Sequence, residues 1–252
     1  MGGTALNTTL ELGTFVNTVA VKNHPFKKLV AHHKCATPFE YIIEILPKCS
    51  PTGPWIAGGA LLRTYTGQPL DSDVDVFFQN KEQCDRFITT ITSGAYGGSM
   101  EDRKKNQYTV ETRFSNQWHT TITMNYMGRD WKIQCITFVF FKTINELFES
   151  FDFDVCMMAY DGNELYVNNT TFDAIENKMV KLMKINYPSI TLKRLVKYMR
   201  QGYNVDDADV TMLVASFRGP KEPVGIMDES GENGGRWAKI SKTNDWYINL
   251  RR

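Results

Sequence analysis

Trp55-Ile56-Ala57-Gly58-Gly59-Ala60-Leu61-Leu62, followed one short helix later by Ser72-Asp73-Val74-Asp75-Val76-Phe77-Phe78, decides how this chain is read. An apolar strand runs into a glycine pair, a helical pattern follows, and two carboxylates then flank one valine in a second apolar strand. Side chains of a strand alternate between faces, so Asp73 and Asp75 share one face and Val74 and Val76 the other. Two ionised carboxylates side by side repel, and each makes the other harder to ionise. A divalent cation relieves the repulsion, and Mg²⁺ takes carboxylate oxygens together with substrate phosphates. Gly58 and Gly59 carry no Cβ, so backbone N–H groups there can approach a phosphate at the start of a helix whose dipole favours negative charge. A phosphate cradle beside metal-binding carboxylates points to phosphoryl or nucleotidyl transfer.

Outward from this stretch, the chain is ordinary in bulk. Its 252 residues are 42% hydrophobic and 23% charged, the composition of a soluble globular protein with ample material for a core. The longest apolar run, Ile136 to Phe141, is interrupted by Thr137 and is strand-sized, which argues against a membrane span. The first residues show neither a basic segment nor a long apolar one, so no secretory leader is expected. Cys35, Cys49, Cys84, Cys135 and Cys156 form no CxxC pair, and free thiols in a reducing cytoplasm fit them. His32, His33 and Cys35 have no second pair at ligand spacing, and a surface loop is the better reading than zinc. The net charge of +1 gives little support to polyanion binding, but its distribution does. Lys178, Lys181, Lys184, Lys193, Arg194, Lys197 and Arg200 fall in one stretch without an acid.

Hydrophobic periods and breakers lay out the elements. Residues 17–34 read as a short helix interrupted at His24-Pro25. Thr37-Pro38 opens a helix with Phe39, Ile42, Ile43 and Leu46 on one face, ended by Pro47. Residues 55–57 form a strand, 60–65 a helix, 73–79 the carboxylate strand and 81–92 a second long helix. After a loop at 94–105 come strands at 108–114, 119–126 and 131–141, with a hairpin turn at Met127-Gly128-Arg129-Asp130. A short helix at 143–149 precedes a strand at 151–160 and another at 165–167. From Phe172 the pattern is helical, with apolar stripes Ile175, Met179, Leu182, Met183 and Leu192, Leu195, Val196, Met199. Residues 219–235 read as a loop and 237–250 as a terminal strand or packing arm. The sum is an α+β fold: a mixed sheet flanked by helices, followed by a small helical appendage.

The order strand, glycine turn, helix, carboxylate strand resembles the polymerase-beta-like nucleotidyltransferase superfamily, in particular the head domain of CCA-adding enzymes and bacterial poly(A) polymerases. Gly58, Gly59, Gly67, Asp73 and Asp75 match that family's first motif, although the aspartates come one residue later and Arg63 stands one position beyond the family's arginine. Asp152-Phe153, with Ala159-Tyr160-Asp161 after it, is similar to the second motif, with Ser150 and Phe151 in place of two arginines. Arg194, Lys197 and Arg200 reproduce a basic triplet carried on the helix after the sheet, while Gln134 stands where the family's middle strand offers a carboxylate. The resemblance covers roughly residues 37 to 203 and implies three parts: an N-terminal segment (1–36), a head domain with a largely antiparallel sheet (37–170), and a helical neck-like region with a C-terminal arm (171–252).

It further implies a template-independent transferase dependent on Mg²⁺ (or Mn²⁺) that moves an NMP from an NTP to an acceptor hydroxyl, with a tRNA-like RNA 3′ end as acceptor. In that reading Asp73 and Asp75 bridge two metals, and Asp152 completes the cage or orients the acceptor. Gly58, Gly59 and Arg63 hold phosphates, and Arg194, Lys197 and Arg200 contact the triphosphate or RNA. A solvated helix face explains the basic spacing equally well. Tyr126, Trp131 and Tyr198 are candidates for stacking a base, with core packing as the default. The expected compartment is the cytoplasm, that of the host if the chain is viral. Only about fifty residues follow position 203, too few for tRNA-holding helices, which favours NMP transfer to a protein or small molecule by a toxin-like or virus-encoded factor. Gln134 and the missing arginine pair favour a catalytically silent nucleotide- or RNA-binding module of the same fold.

Overall fold

The computed structural model describes residues 18–25, 38–93, 108–126 and 128–217. In chain order the described elements are β1 (Thr18–Pro25), α1 (Pro38–Ile45), β2 (Trp55–Ala57), α2 (Gly59–Tyr65), β3 (Val74–Phe77) and α3 (Lys81–Thr92). Then come β4 (Thr109–Ser115), β5 (His119–Tyr126), β6 (Arg129–Ile136), α4 (Ile144–Phe148), a 3-10 turn (Asp154–Cys156), β7 (Met158–Tyr160) and β8 (Glu164–Asn168). The described chain ends with α5 (Thr171–Glu176), β9 (Met179–Val180), α6 (Pro188–Arg200), β10 (Asn204–Val205) and α7 (Asp207–Ser216).

Eight strands form one sheet in the order β1-β8-β7-β2-β3-β6-β5-β4. Every pairing is antiparallel except β3 with β6, which sets Asp75 beside Gln134. The α+β class with a mixed, largely antiparallel sheet is therefore as the sequence predicts.

The two faces of the sheet are buried unequally, and that inequality creates the site. Val74, Val76, Ile122, Ile133 and Cys135 point to one face, covered by Phe39, Ile42 and Ile45 of α1 and by Cys84, Phe87, Ile88 and Ile91 of α3. Each large side chain buried there is worth about 1.5–3 kcal/mol relative to exposure. On the other face α4 lays Ile144, Leu147 and Phe148 over Trp55, Ala57 and Phe77. Thr143 caps that five-residue helix by accepting from Glu146 N–H at 3.2 Å. Beyond α4 the face stays partly open, and Asp75, Gln134 and Thr121 lie side by side across β3, β6 and β5.

Several elements depart from the sequence reading. Residues 18–25 are a strand, not part of a helix: Thr18, Val19 and Ala20 pair with Asn168, Val167 and Tyr166 at the sheet's edge. The strand expected over 131–141 stops at Ile136, and Phe141 N–H donates to Phe78 carbonyl as the chain crosses toward α4. The strand expected over 151–160 begins only at Met158, because 154–156 coil into the 3-10 turn. The stretch after Phe172 is not purely helical. Met179–Val180 pairs in parallel with Asn204–Val205, so the first stripe is no helix face. The cap Thr37, the loop 94–105, the triad His32, His33 and Cys35, and the arm 237–250 lie outside the described residues.

Candidate active site

Gly58 ends β2 with φ 83° and ψ −142°, backbone space that side-chain-bearing residues avoid. Its N–H donates to Met158 carbonyl at 3.0 Å and its own carbonyl accepts from Leu61 N–H at 3.1 Å, which turns the chain from sheet into α2. A Cβ added at Gly58 would sit 3.8 Å from Asp75 Oδ2, whereas one at Gly59 would meet nothing within 4 Å. Gly59 thus faces open space, and the buried Gly58 adjoins the β3 carboxylate.

Asp75 carries the strongest electrostatic mark of the site. Its pKa is pushed up to about 7, first by burial and then by the charge of Asp73; Arg194 and Lys197 pull it back. Asp73 thus makes Asp75 harder to ionise, and two cations of α6 make it easier. Arg200, in the last turn of that helix, is exposed and is not among the groups acting on Asp75.

Asp152 explains how α6 comes to stand there. Its carboxylate is 3% exposed and accepts from Arg194 Nη1 at 2.7 Å, Thr191 Oγ1 at 3.1 Å and Asn186 Nδ2 at 3.3 Å. Its backbone carbonyl accepts from Met183 N–H at 2.7 Å. The inward face of α6 is consequently Thr191, Leu195 and Tyr198, while Leu192, Val196 and Met199 of the expected stripe are exposed. The structure does not bring Asp152 to Asp73 and Asp75 as a third metal ligand; its oxygens are occupied. Among the described residues no three of His, Cys, Asp and Glu converge as a metal cage. Nor does Asp154 face the same way as Asp152, since it lies in the 3-10 turn and accepts from Lys181 N–H at 2.9 Å.

Arg63 is engaged elsewhere as well. Its guanidinium pairs with Asp71 at 2.6 Å and donates to Pro69 carbonyl at 3.1 Å, holding the turn that leads into β3. Tyr126, Trp131 and Tyr198 are core residues, 5–8% exposed. Cys49, Cys84, Cys135 and Cys156 are free thiols, all made harder to ionise by burial. Two features were missed from sequence. Thr191 and Asn186 anchor the Asp152 clamp, and His119, at the start of β5, feels the charge of Asp73. No local pattern marks them, because strand order and helix docking create these neighbours.

A glycine turn, Asp75 on the adjoining strand with Asp73 just ahead of it, and two cations of α6 are set on a sheet whose fold is that of CCA-adding enzymes. A CCA-adding enzyme in complex with ATP superposes with a TM-score of 0.53 over 77% of this chain and 46% of the enzyme, at 11% identity. The Thermotoga maritima CCA-adding enzyme complexed with tRNA gives 0.50 over 77% and 45%, at 13% identity. At such identities the likeness is one of fold. By sequence the chain belongs to the Gabija anti-defense 2 family, whose profile matches residues 31–178. It is 25% identical over 164 residues to Gabija anti-defense 2 of Bacillus phage SPbetaL7. The match takes in 63% of this chain and spans only 36% of that phage protein's length. Among the described residues no helix is long and apolar enough to cross a membrane.

Proposed function

We propose that this chain is the nucleotidyltransferase unit of a phage anti-defence protein, acting in the host cytoplasm. It moves an NMP from an NTP to an acceptor hydroxyl, with an RNA 3′ end as the acceptor. The observation that carries this reading is Asp75, which adjoins the glycine turn at Gly58 and is acted on by the charges of Asp73, Arg194 and Lys197.

The residues fit a divalent cation of the Mg²⁺ or Mn²⁺ kind. Burial and a like charge push the pKa of Asp75 up to about 7, which a bound cation would oppose, and hard oxygen ligands are what such an ion takes. Asp73 and Asp75 would hold it, with substrate phosphates completing its coordination. When bound, it offsets the carboxylate charge, lowers the pKa of the acceptor hydroxyl and balances the departing pyrophosphate. The chain's own residues supply the rest. Gly58 and Gly59 give the triphosphate a backbone wall without side chains, and Arg194 and Lys197 supply countercharge from the opposite side. Asp152, Thr191 and Asn186 hold Arg194 in place, and Gln134 and Thr121 line the remaining side, where an acceptor hydroxyl enters. Fixing both reactants in this way accounts for rate through orientation.

The test is incubation of the full chain with each labelled NTP, Mg²⁺ and total RNA, beside Asp73→Asn and Asp75→Asn proteins. Label in nuclease-sensitive material from the unaltered chain alone supports the reading. Label made by Asp73→Asn protein would refute the assignment. Gln134 and the occupied Asp152 favour a second reading, a silent nucleotide-binding module, for which calorimetry shows Mg·NTP binding without any transfer.

A further inference from the structure

We infer that Trp118 and Phe138 form a stacking ledge for an unpaired nucleobase of the acceptor strand. This rests on the transferase reading above and adds the chemistry of the acceptor. Arg194 ties α6 to Asp152, which leads into β7 on the opposite side of β3 from β6, so the triphosphate takes that side and the acceptor approaches over β6 and β5. There Asp75, Gln134 and Thr121 are register neighbours on the partly open face, and His119 lies two residues from Thr121. Ile136, the register partner of His119, is roughly 7 Å beyond Gln134 along β6. The ledge follows at once. Phe138 is 50% exposed, Trp118 is partly exposed, and their rings meet edge to face with centroids 5.0 Å apart.

The turn that presents them is fixed rather than loose. Asn116 Oδ1 accepts from Trp118 N–H at 2.7 Å and His119 N–H at 2.9 Å, and Thr137 N–H donates to Trp118 carbonyl at 3.0 Å. The aromatic residues around α4 are packed on one another: Phe77 meets Phe141 and Phe151, and Phe148 meets Phe151. The Trp118–Phe138 pair lies at the end of the polar strip, beside His119 and Asn116, whose Nε2 and Nδ2 lie 3.4 Å apart. Every base has a π-face, so an exposed aromatic ledge beside polar groups suits a single strand of any sequence. Its distance from Asp75 assigns it to a nucleotide next to the reacting one.

The experiment is fluorescence anisotropy of a labelled single-stranded RNA oligonucleotide titrated with the full chain without NTP, in parallel with calorimetry using Mg·ATP. Trp118→Ala and Phe138→Ala should each weaken oligonucleotide binding about five-fold or more, the range of one lost base stack. Trp118→Phe should retain most of the affinity, and no variant should alter Mg·ATP binding. Unchanged oligonucleotide affinity in Trp118→Ala overturns the ledge. So does an unaltered chain that binds Mg·ATP and labels protein but does not hold the oligonucleotide. Absence of Mg·ATP binding by the unaltered chain instead strikes the transferase reading, and the anisotropy series still decides the ledge.

Discussion

Arg194 Nη1 lies 2.7 Å from Asp152 Oδ2, a contact across 42 residues of sequence that pins a helix beyond the main sheet beside the carboxylate strand. Arg194 is half exposed, so the contact matters less as a general stabiliser than as a positioning device. Asp152→Ala removes an acceptor from Arg194, Asn186 and the fully buried Thr191. We expect a loss of about 2–3 kcal/mol in urea unfolding followed by circular dichroism, chiefly from the stranded donors. Mg·NTP affinity should fall at least ten-fold by calorimetry as Arg194 loses its orientation. Unaltered nucleotide affinity in that protein would show that α6 needs no clamp.

The second expectation concerns pH. Asp75 has its folded pKa raised from 3.8 to about 7. The folded chain therefore holds this proton more tightly than the unfolded one, and stability falls as pH rises from about 4 to about 7, then levels off. The full swing is at most about 4 kcal/mol. Without divalent ions, Asp75→Asn should match the unaltered chain near pH 4 and exceed it near pH 8. Added Mg²⁺ should raise the melting temperature near pH 8 only where Asp75 is intact. Parallel pH curves for the two proteins would contradict the buried acidic pair.

Lys197 and Arg200 separate a site cation from a solvated one. Only the former acts on Asp75. Lys197→Ala should weaken Mg·NTP binding about ten-fold and Arg200→Ala less than about two-fold, with thermal stability near the unaltered value in both, as for most surface changes. Equal losses would return the basic triplet to a single electrostatic patch.

Two glycines should fail differently. Gly162 has φ 96°, and a Cβ there would stand 2.5 Å from Cys49 carbonyl oxygen. Gly58 has φ 83°, with room behind it and Asp75 nearby. Alanine at either position should cost about 1–3 kcal/mol in backbone strain. Only Gly58→Ala should also reduce Mg·NTP affinity, because its methyl projects beside the carboxylate. Calorimetry on the two proteins at a temperature where both remain folded makes the comparison.

What sequence could reveal follows from the range of the forces involved. The α3 bounds and the β5 bounds are those expected, because Cys84, Phe87, Ile88 and Ile91 keep one helical period and His119–Tyr126 alternates cleanly with no competing pattern. Asp73 and Asp75 were legible as a pair for the same local reason. The inward face of α6 was not. Its four apolar residues suggested one stripe, yet only Leu195 is buried, since an acidic partner far back in the chain holds Thr191 on the inward face. Asp152 looked like a metal ligand because residue type says nothing about which donors have already claimed its oxygens. The strand at 18–25 depends on an edge supplied by β8, which no window around Val19 contains.

The parallel pairing of β3 with β6 in the eight-stranded sheet has a consequence for how the molecule is made. A chain growing from its amino end displays both aspartates about sixty residues before the strand carrying Gln134 exists, and Arg194 follows about sixty later still. Such distant contacts close late in folding, after local hairpins and helices. Asp75 therefore precedes in synthesis the two cations that offset its charge. A cut anywhere between residues 75 and 194 parts the two halves of the charge pattern, so fragments meant to isolate nucleotide chemistry must keep that whole span intact.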